Sequence, residues 1–146
     1  MAETGQSRRQ FIKQSTTASI GALAAASAPA AFAASSGSLK IGLIGCGGRG
    51  SGAANQAMRA DKNANLFAMA DVFSDRLKGS YKGLKAAGKN QVNVPEDRRF
   101  VGLDAYKKVI DLCDVVILTT PPGFRPQHLR AAVDAGKHVF CEKPMA

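Results

Sequence analysis

Leu39-Lys40-Ile41-Gly42-Leu43-Ile44 is a short apolar run that stops at the glycine cluster Gly45-Cys46-Gly47-Gly48-Arg49-Gly50. A short apolar run that ends at glycines reads as a buried strand. From Arg49 to Ala60, the residues Ala53, Ala54, Ala57 and Met58 recur at helical spacing and form a narrow face of small side chains. The cluster is therefore G-x-G-x-x-G set between a strand and a helix. The three glycines of the pattern act differently. Gly45 allows the tight turn, Gly47 lets the backbone approach a pyrophosphate, and Gly50 lets helix and strand pack closely. Cys46, Gly48 and Arg49 complete a loop whose following helix offers free N–H groups to phosphates. About twenty residues past Gly50, Asp71 ends a second apolar run, Asn65–Asp71, where a carboxylate can accept hydrogen bonds from ribose hydroxyls. Taken singly, the glycines are a plain flexible turn and Asp71 is a helix N-cap. Their joint spacing points to a dinucleotide. A methyltransferase loop also pairs glycines with an acid after its second strand, and residues further along argue against it.

The rest of the body alternates in the same way. Phe73, Leu77, Tyr81 and Leu84 mark one stripe of a second helix ended near Gly88. The polar segment Lys89 to Arg98, with Pro95, reads as a loop before a short strand around Phe100 to Leu103. Asp104 is placed to cap a helix whose Tyr106, Val109, Ile110 and Cys113 face inward, and Val115-Val116-Ile117-Leu118 is a β-branched buried strand. Pro121 and Pro122 break the chain. Pro126 suits the first turn of a helix carrying Leu129, Ala132 and Val133, and Gly136 its left-handed end, before the strand His138–Cys141. Five strands and four helices in alternation predict an α/β fold, a doubly wound parallel Rossmann sheet of order 3-2-1-4-5, incomplete at its C-terminal end. Ligands of such sheets bind at the carboxyl ends of the strands.

Composition narrows the function classes. The formal charge is +9, yet the basic residues are scattered singly and are not interleaved with stacking aromatics, so nucleic-acid binding is not expected. An anionic dinucleotide and a solvated face account for the charge. Cys46, Cys113 and Cys141 are odd in number and lack metal-ligand spacing, which indicates neither a disulfide framework nor a metal site.

Residues 1–33 have a different character. Ser7-Arg8-Arg9-Gln10-Phe11-Ile12-Lys13 precedes a stretch rich in Ala, Ser, Thr and Gly that ends in Ala31-Phe32-Ala33. It resembles a twin-arginine signal peptide with an A-x-A cleavage site. The stretch carries Pro29 and few large side chains, so it would span a bilayer poorly. The residue directly after the cleavage point is Ala34 and not a Cys, so no stable membrane anchor is expected. The resemblance implies export to the periplasm by the twin-arginine translocase, followed by a linker, 34–38, and a folded body, 39–146.

Later residues carry a second resemblance: Thr119-Thr120-Pro121-Pro122, His128, Ala135-Gly136-Lys137-His138-Val139, and Glu142-Lys143-Pro144. From about Leu39 onward the chain resembles the NAD(P)-binding domain of the Gfo/Idh/MocA family, the glucose-fructose oxidoreductases and inositol dehydrogenases. The resemblance implies a sugar or polyol substrate, a tightly held NAD, with NADP possible, and a homo-oligomer at full length. By the same resemblance Thr119, Thr120, Pro121, Pro122 and His128 lie toward the nicotinamide, Glu142 and Pro144 shape a turn, and Lys143 is the catalytic residue that orients or polarises the sugar hydroxyl. An ammonium beside a developing alkoxide is sound chemistry in its own right, although a lysine at a strand end is also an ordinary surface residue. Asp71 would repel a 2′-phosphate and favour NAD, while Arg49 and Arg76 are placed to soften that preference. Family members continue into a second domain that holds the substrate surface and the general base, so the chain is expected to be part of a longer protein. Two alternatives stand beside the dehydrogenase. One is an NAD-dependent glycosidase of the same family, and the other is a non-catalytic dinucleotide-binding module.

Overall fold

The computed structural model describes residues 37–88 and 90–144; the twin-arginine segment and residues 34–36 of the linker lie outside the described residues. The apolar runs form five parallel strands: β1 (Leu39–Ile44), β2 (Ala64–Asp71), β3 (Arg99–Val101), β4 (Val115–Leu118) and β5 (His138–Cys141). Four helices connect them: α1 (Gly48–Ala60), α2 (Ser74–Ala87), α3 (Ala105–Leu112) and α4 (Arg125–Asp134). The strand order is 3-2-1-4-5, as the alternation predicts.

Side-chain alternation along the central strands feeds two cores. Ile41, Leu43, Leu66, Met69 and Ile117 pack against Ala53, Ala54 and Met58 of α1 and Leu77 and Leu84 of α2. On the opposite face Ile44, Ala68, Ala70, Val116 and Leu118 meet Tyr106, Val109 and Ile110 of α3 and Ala132 of α4. The result is three layers, helices on both faces of a sheet whose centre is shielded from water. The β1–β2 register slips by one residue between Ile41 and Gly42, which leaves Phe67 without a partner on β1. The Arg98 guanidinium lies 3.6 Å from the centroid of that ring.

Several local expectations are corrected. The third strand runs Arg99–Val101: Gly102 N–H still donates to Asp71 O (3.0 Å), but its φ of +123° turns the chain away, and Leu103 beyond it is exposed. The loop before it is more ordered than its polarity implies. Leu66 N–H donates to Gln91 O (2.8 Å) and Asn93 N–H donates to Leu66 O (2.9 Å), and Val92 and Val94 are buried. Asp104 occupies the N-cap position of α3, as expected, but makes no side-chain cap bond; its carboxylate lies 2.8 Å from Lys107 Nζ. Phe73 is 57% exposed and stands outside the α2 stripe, where Ser80 is buried instead. In α4 Ala132 is buried and Leu129 packs partly on the same core, as expected, but Val133 is exposed and Arg125 and His128 join the inward face.

Candidate dinucleotide site

The sheet order reverses between β1 and β4, so the chains leaving these neighbouring strands part to opposite faces and open a crevice at their carboxyl ends. The glycine cluster turns there. Gly45 adopts a φ of +98°, and a Cβ on it would stand 2.8 Å from the Thr120 amide nitrogen. Both facts require glycine. A Cβ on Gly50 would meet the Gly45 carbonyl oxygen at 2.1 Å and Thr119 Oγ1 at 2.5 Å. The loop therefore lies directly on the first turn of α1, as close helix–strand packing demands. At Gly47 and Gly48, a Cβ would meet nothing within 4 Å. That open side is a cradle in which main-chain N–H groups can be approached by a phosphate. The α1 N-terminus carries no acidic residue in its first turn, which leaves its positive end unopposed.

Asp71 closes one end of a cleft of about 400 Å³. Its Oδ2 accepts the Cys46 N–H at 2.6 Å and its Oδ1 accepts the Phe73 N–H at 2.9 Å. These two bonds fix the carboxylate plane against the loop, and remaining lone pairs face the cleft for ribose hydroxyls. The acid is no side-chain cap on α2, whose first-turn cap residue is Phe73. Val72, Phe73 and Arg76 on one side and Gly102 and Leu103 on the other wall this end. Sequence reasoning does not assign those apolar walls, because the spacing of Phe73 and Leu103 fits a helix stripe and a strand.

Cys46 contributes its main chain only. The thiol is buried in the α1–α2 core and donates to Ala70 O at 3.5 Å. Burial, seconded by the Asp71 carboxylate, pushes its pKa up to about 12. Ser51 and Ser80 hydroxyls meet nearby at 2.7 Å, tying α1 to α2.

Thr119, Thr120, Pro121 and His128 line the other end of the cleft. The Thr119 hydroxyl is committed to the glycine turn, donating to Gly45 O at 2.7 Å and Ile44 O at 3.2 Å. Thr120 Oγ1 pairs with His128 Nδ1 at 3.2 Å, and the imidazole packs on Tyr106 with ring centroids 4.1 Å apart. His128 is thus buried and is not a helix-surface residue; that burial lowers its pKa. Pro122 is exposed and lies outside the cleft wall; it opens the short turn Pro122–Phe124, whose Phe124 does line the cleft.

Glu142 and Lys143 follow β5 directly, and Glu142 N–H donates to Leu118 O at the end of β4 (3.0 Å). The Glu142 carboxylate accepts Arg49 Nε at 2.6 Å, a bond that holds its pKa below the ordinary carboxylate range. Arg49 is therefore engaged with this turn, which leaves Arg76 as the arginine lining the Asp71 end of the cleft. The Lys143 side chain is exposed, and the Lys143–Pro144 peptide is cis. Arg125, which sequence reasoning did not single out, is 3% exposed. Its Nη2 donates to Thr120 O at 2.6 Å, and its Nη1 donates to the carbonyls of Glu142 and Pro144. The signal for it was spacing: Arg125, His128 and Ala132 repeat on one face of α4.

Residues 39–146 match the profile of the Gfo/Idh/MocA oxidoreductase family, described as having an NAD-binding Rossmann fold. The chain belongs to this family. It is 30% identical over 150 residues to a glycosyl hydrolase family 109 protein of Solibacter usitatus, an alignment that covers 96% of this chain and 33% of that protein. It is 33% identical over 107 residues to the glucose-6-phosphate 3-dehydrogenase of Bacillus subtilis, covering 73% of this chain and 26% of the relative. Among solved structures it is similar to scyllo-inositol dehydrogenase from Lactobacillus casei with bound NAD(H) and scyllo-inositol. The TM-score there is 0.58 at 29% identity, covering 75% of this chain and 29% of that one. This chain spans about a third or less of the length of these relatives. Its Gfo/Idh/MocA domain is thus an NAD-binding Rossmann domain, and the open glycine cradle and Asp71 suit that cofactor.

Proposed function

We propose that this chain is the cofactor-binding part of an exported oxidoreductase that passes hydride between a sugar or polyol carbon and C4 of a tightly held nicotinamide. Support comes from relatives named as sugar or polyol dehydrogenases. The observation that carries the reading is one cleft with a ribose-seeking carboxylate at Asp71 and the Glu142-Lys143-Pro144 turn joined to its glycine loop by Arg49. Gly45, Cys46, Gly47, Gly48 and Gly50 would present main chain to the pyrophosphate, and Asp71 would take the adenosine ribose. Thr119, Thr120, Pro121 and His128 would bound the nicotinamide. The bound NAD supplies the hydride acceptor. The Lys143 ammonium would hold the substrate hydroxyl and stabilise the oxyanion that develops as the hydroxyl proton passes to a separate general base.

Lys143→Met in the natural protein tests this role. A fall in turnover of about a hundredfold or more with unchanged NAD affinity is expected when a group acts on developing charge; unchanged turnover removes Lys143 from the chemistry. Export by the twin-arginine translocase is tested by the intact mass and cofactor content of the protein recovered from the periplasm. A mature start at residue 34 with NAD retained supports it.

The match to a glycosyl hydrolase family 109 protein over 96% of the chain favours a second reading, an NAD-dependent glycosidase. The two separate on product. A dehydrogenase accumulates NADH from a free polyol such as myo-inositol, whereas the glycosidase releases p-nitrophenol from a p-nitrophenyl glycoside with no net NADH.

A further inference from the structure

Arg125 has a costly position for a cation. It is buried at the first turn of α4, where the helix dipole is positive, and among the described residues no carboxylate pairs with it. Its Nε–H also has no acceptor among the described residues. A buried charge held only by carbonyl dipoles is weak support for stability. What this guanidinium does is geometric. From one planar fork it grips Thr120 O after β4 and the Glu142 and Pro144 carbonyls on either side of Lys143. A lysine offers a point charge on a flexible stem and cannot reproduce that fork.

We propose that Arg125 is the positioning residue of the Glu142-Lys143-Pro144 turn, holding the backbone around Lys143 against the end of β4 at the nicotinamide end of the cleft. This rests on the reading of that end given above. The adenosine end is built from Asp71 and the glycine loop, neither of which bonds to Arg125; the turn meets that loop through the Arg49–Glu142 side-chain pair, whereas Arg125 grips the turn by its main chain. The two halves of the cofactor should therefore respond differently to its loss.

The test compares the dissociation constants of NADH and of ADP-ribose, which lacks the nicotinamide, by calorimetry on the natural protein and its Arg125→Met, Arg125→Lys and Lys143→Met variants. For both Arg125 variants, ADP-ribose affinity is expected to stay within about twofold while NADH affinity falls about tenfold, because the main chain released at Thr120 and around Lys143, and not the Lys143 ammonium, would border the nicotinamide; tenfold is the scale of one lost hydrogen bond to a charged group. Equal weakening of both ligands, no change in either, or loss of ADP-ribose binding in both variants would assign Arg125 to the fold and overturn the proposal. Lys143→Met separates the two ideas. If it leaves turnover intact, the catalytic role of Lys143 fails, whereas the Arg125 comparison is decided by the two ligands alone.

Discussion

Replacing Gly50 by alanine asks how closely the glycine loop and α1 are packed. The new methyl would lie 2.1 Å from the Gly45 carbonyl oxygen, more than 1 Å inside ordinary contact, and 2.5 Å from Thr119 Oγ1. The first is backbone and cannot rotate away, so α1 must retreat from β1. Overpacking of this kind costs about 1–3 kcal/mol. Displacing Thr119 Oγ1 from Gly45 O at 2.7 Å adds about 1 kcal/mol. Against these, alanine is better than glycine in a helix by about 1 kcal/mol. The net expectation is a loss of about 2 kcal/mol. Gly52 is the internal control, because it sits in the same helix with nothing within 4 Å of a Cβ. Gly52→Ala should gain up to about 1 kcal/mol. Urea unfolding measures both. With m near 1–3 kcal/mol per M, a difference of about 3 kcal/mol separates the two midpoints by about 1 M or more. Coincident midpoints, or a more stable Gly50→Ala, would refute the claim that this glycine is required by contact. Gly50→Ala should also weaken NAD binding, since the displaced turn carries the phosphate-facing N–H groups.

Asp71→Ala is expected to weaken NAD+ by about tenfold to a hundredfold while NADP+ weakens less, because the carboxylate proposed to accept from the ribose would repel a 2′-phosphate beside Arg76; calorimetry with both ligands checks this, and equal losses would contradict it. Burial lowers the His128 pKa below that of a free imidazole near pH 6.5. The unfolded chain therefore binds the extra proton first: stability is fully present above about pH 6.5 and is lost as pH falls through the lower folded pKa. Urea midpoints between pH 7.5 and pH 5 should show that loss, and His128→Phe should flatten it. Cys46 and Cys113 are buried with pKa values near 12, so about one thiol in ten thousand is ionised at pH 8. Half-buried Cys141 should react first with iodoacetamide, and mass mapping that finds Cys46 labelled first in folded protein would contradict the packing.

The strand order and the glycine turn were legible because they rest on local rules: an apolar run, a glycine needing positive φ, and an acid at the next strand end. Strand β3 and the segment 91–94 were less so. Their order comes from β2, through Leu66 and the edge carbonyls, and no pattern within a polar stretch containing Pro95 announces a partner elsewhere. Asp104 was legible as the N-cap position but not in its side-chain bond. Its preference for N-caps is statistical, and Lys107 one turn away offered a competing partner.

The site divides along the same line. The turn through Gly45, Cys46 and Gly47 was legible because glycine spacing is itself a backbone signal. Arg125 was missed because periodicity counts apolar residues, and the buried face of α4 begins with two polar ones, Arg125 and His128. Each is buried for a partner that lies on another element: Thr120 for His128, and the carbonyls of Thr120, Glu142 and Pro144 for Arg125. A polar residue on the inward stripe of a helix has to be satisfied by something that the helix does not contain. Here that requirement draws the ends of β4 and β5 together, so a break in apolar periodicity at a strand's carboxyl edge is itself evidence of a site.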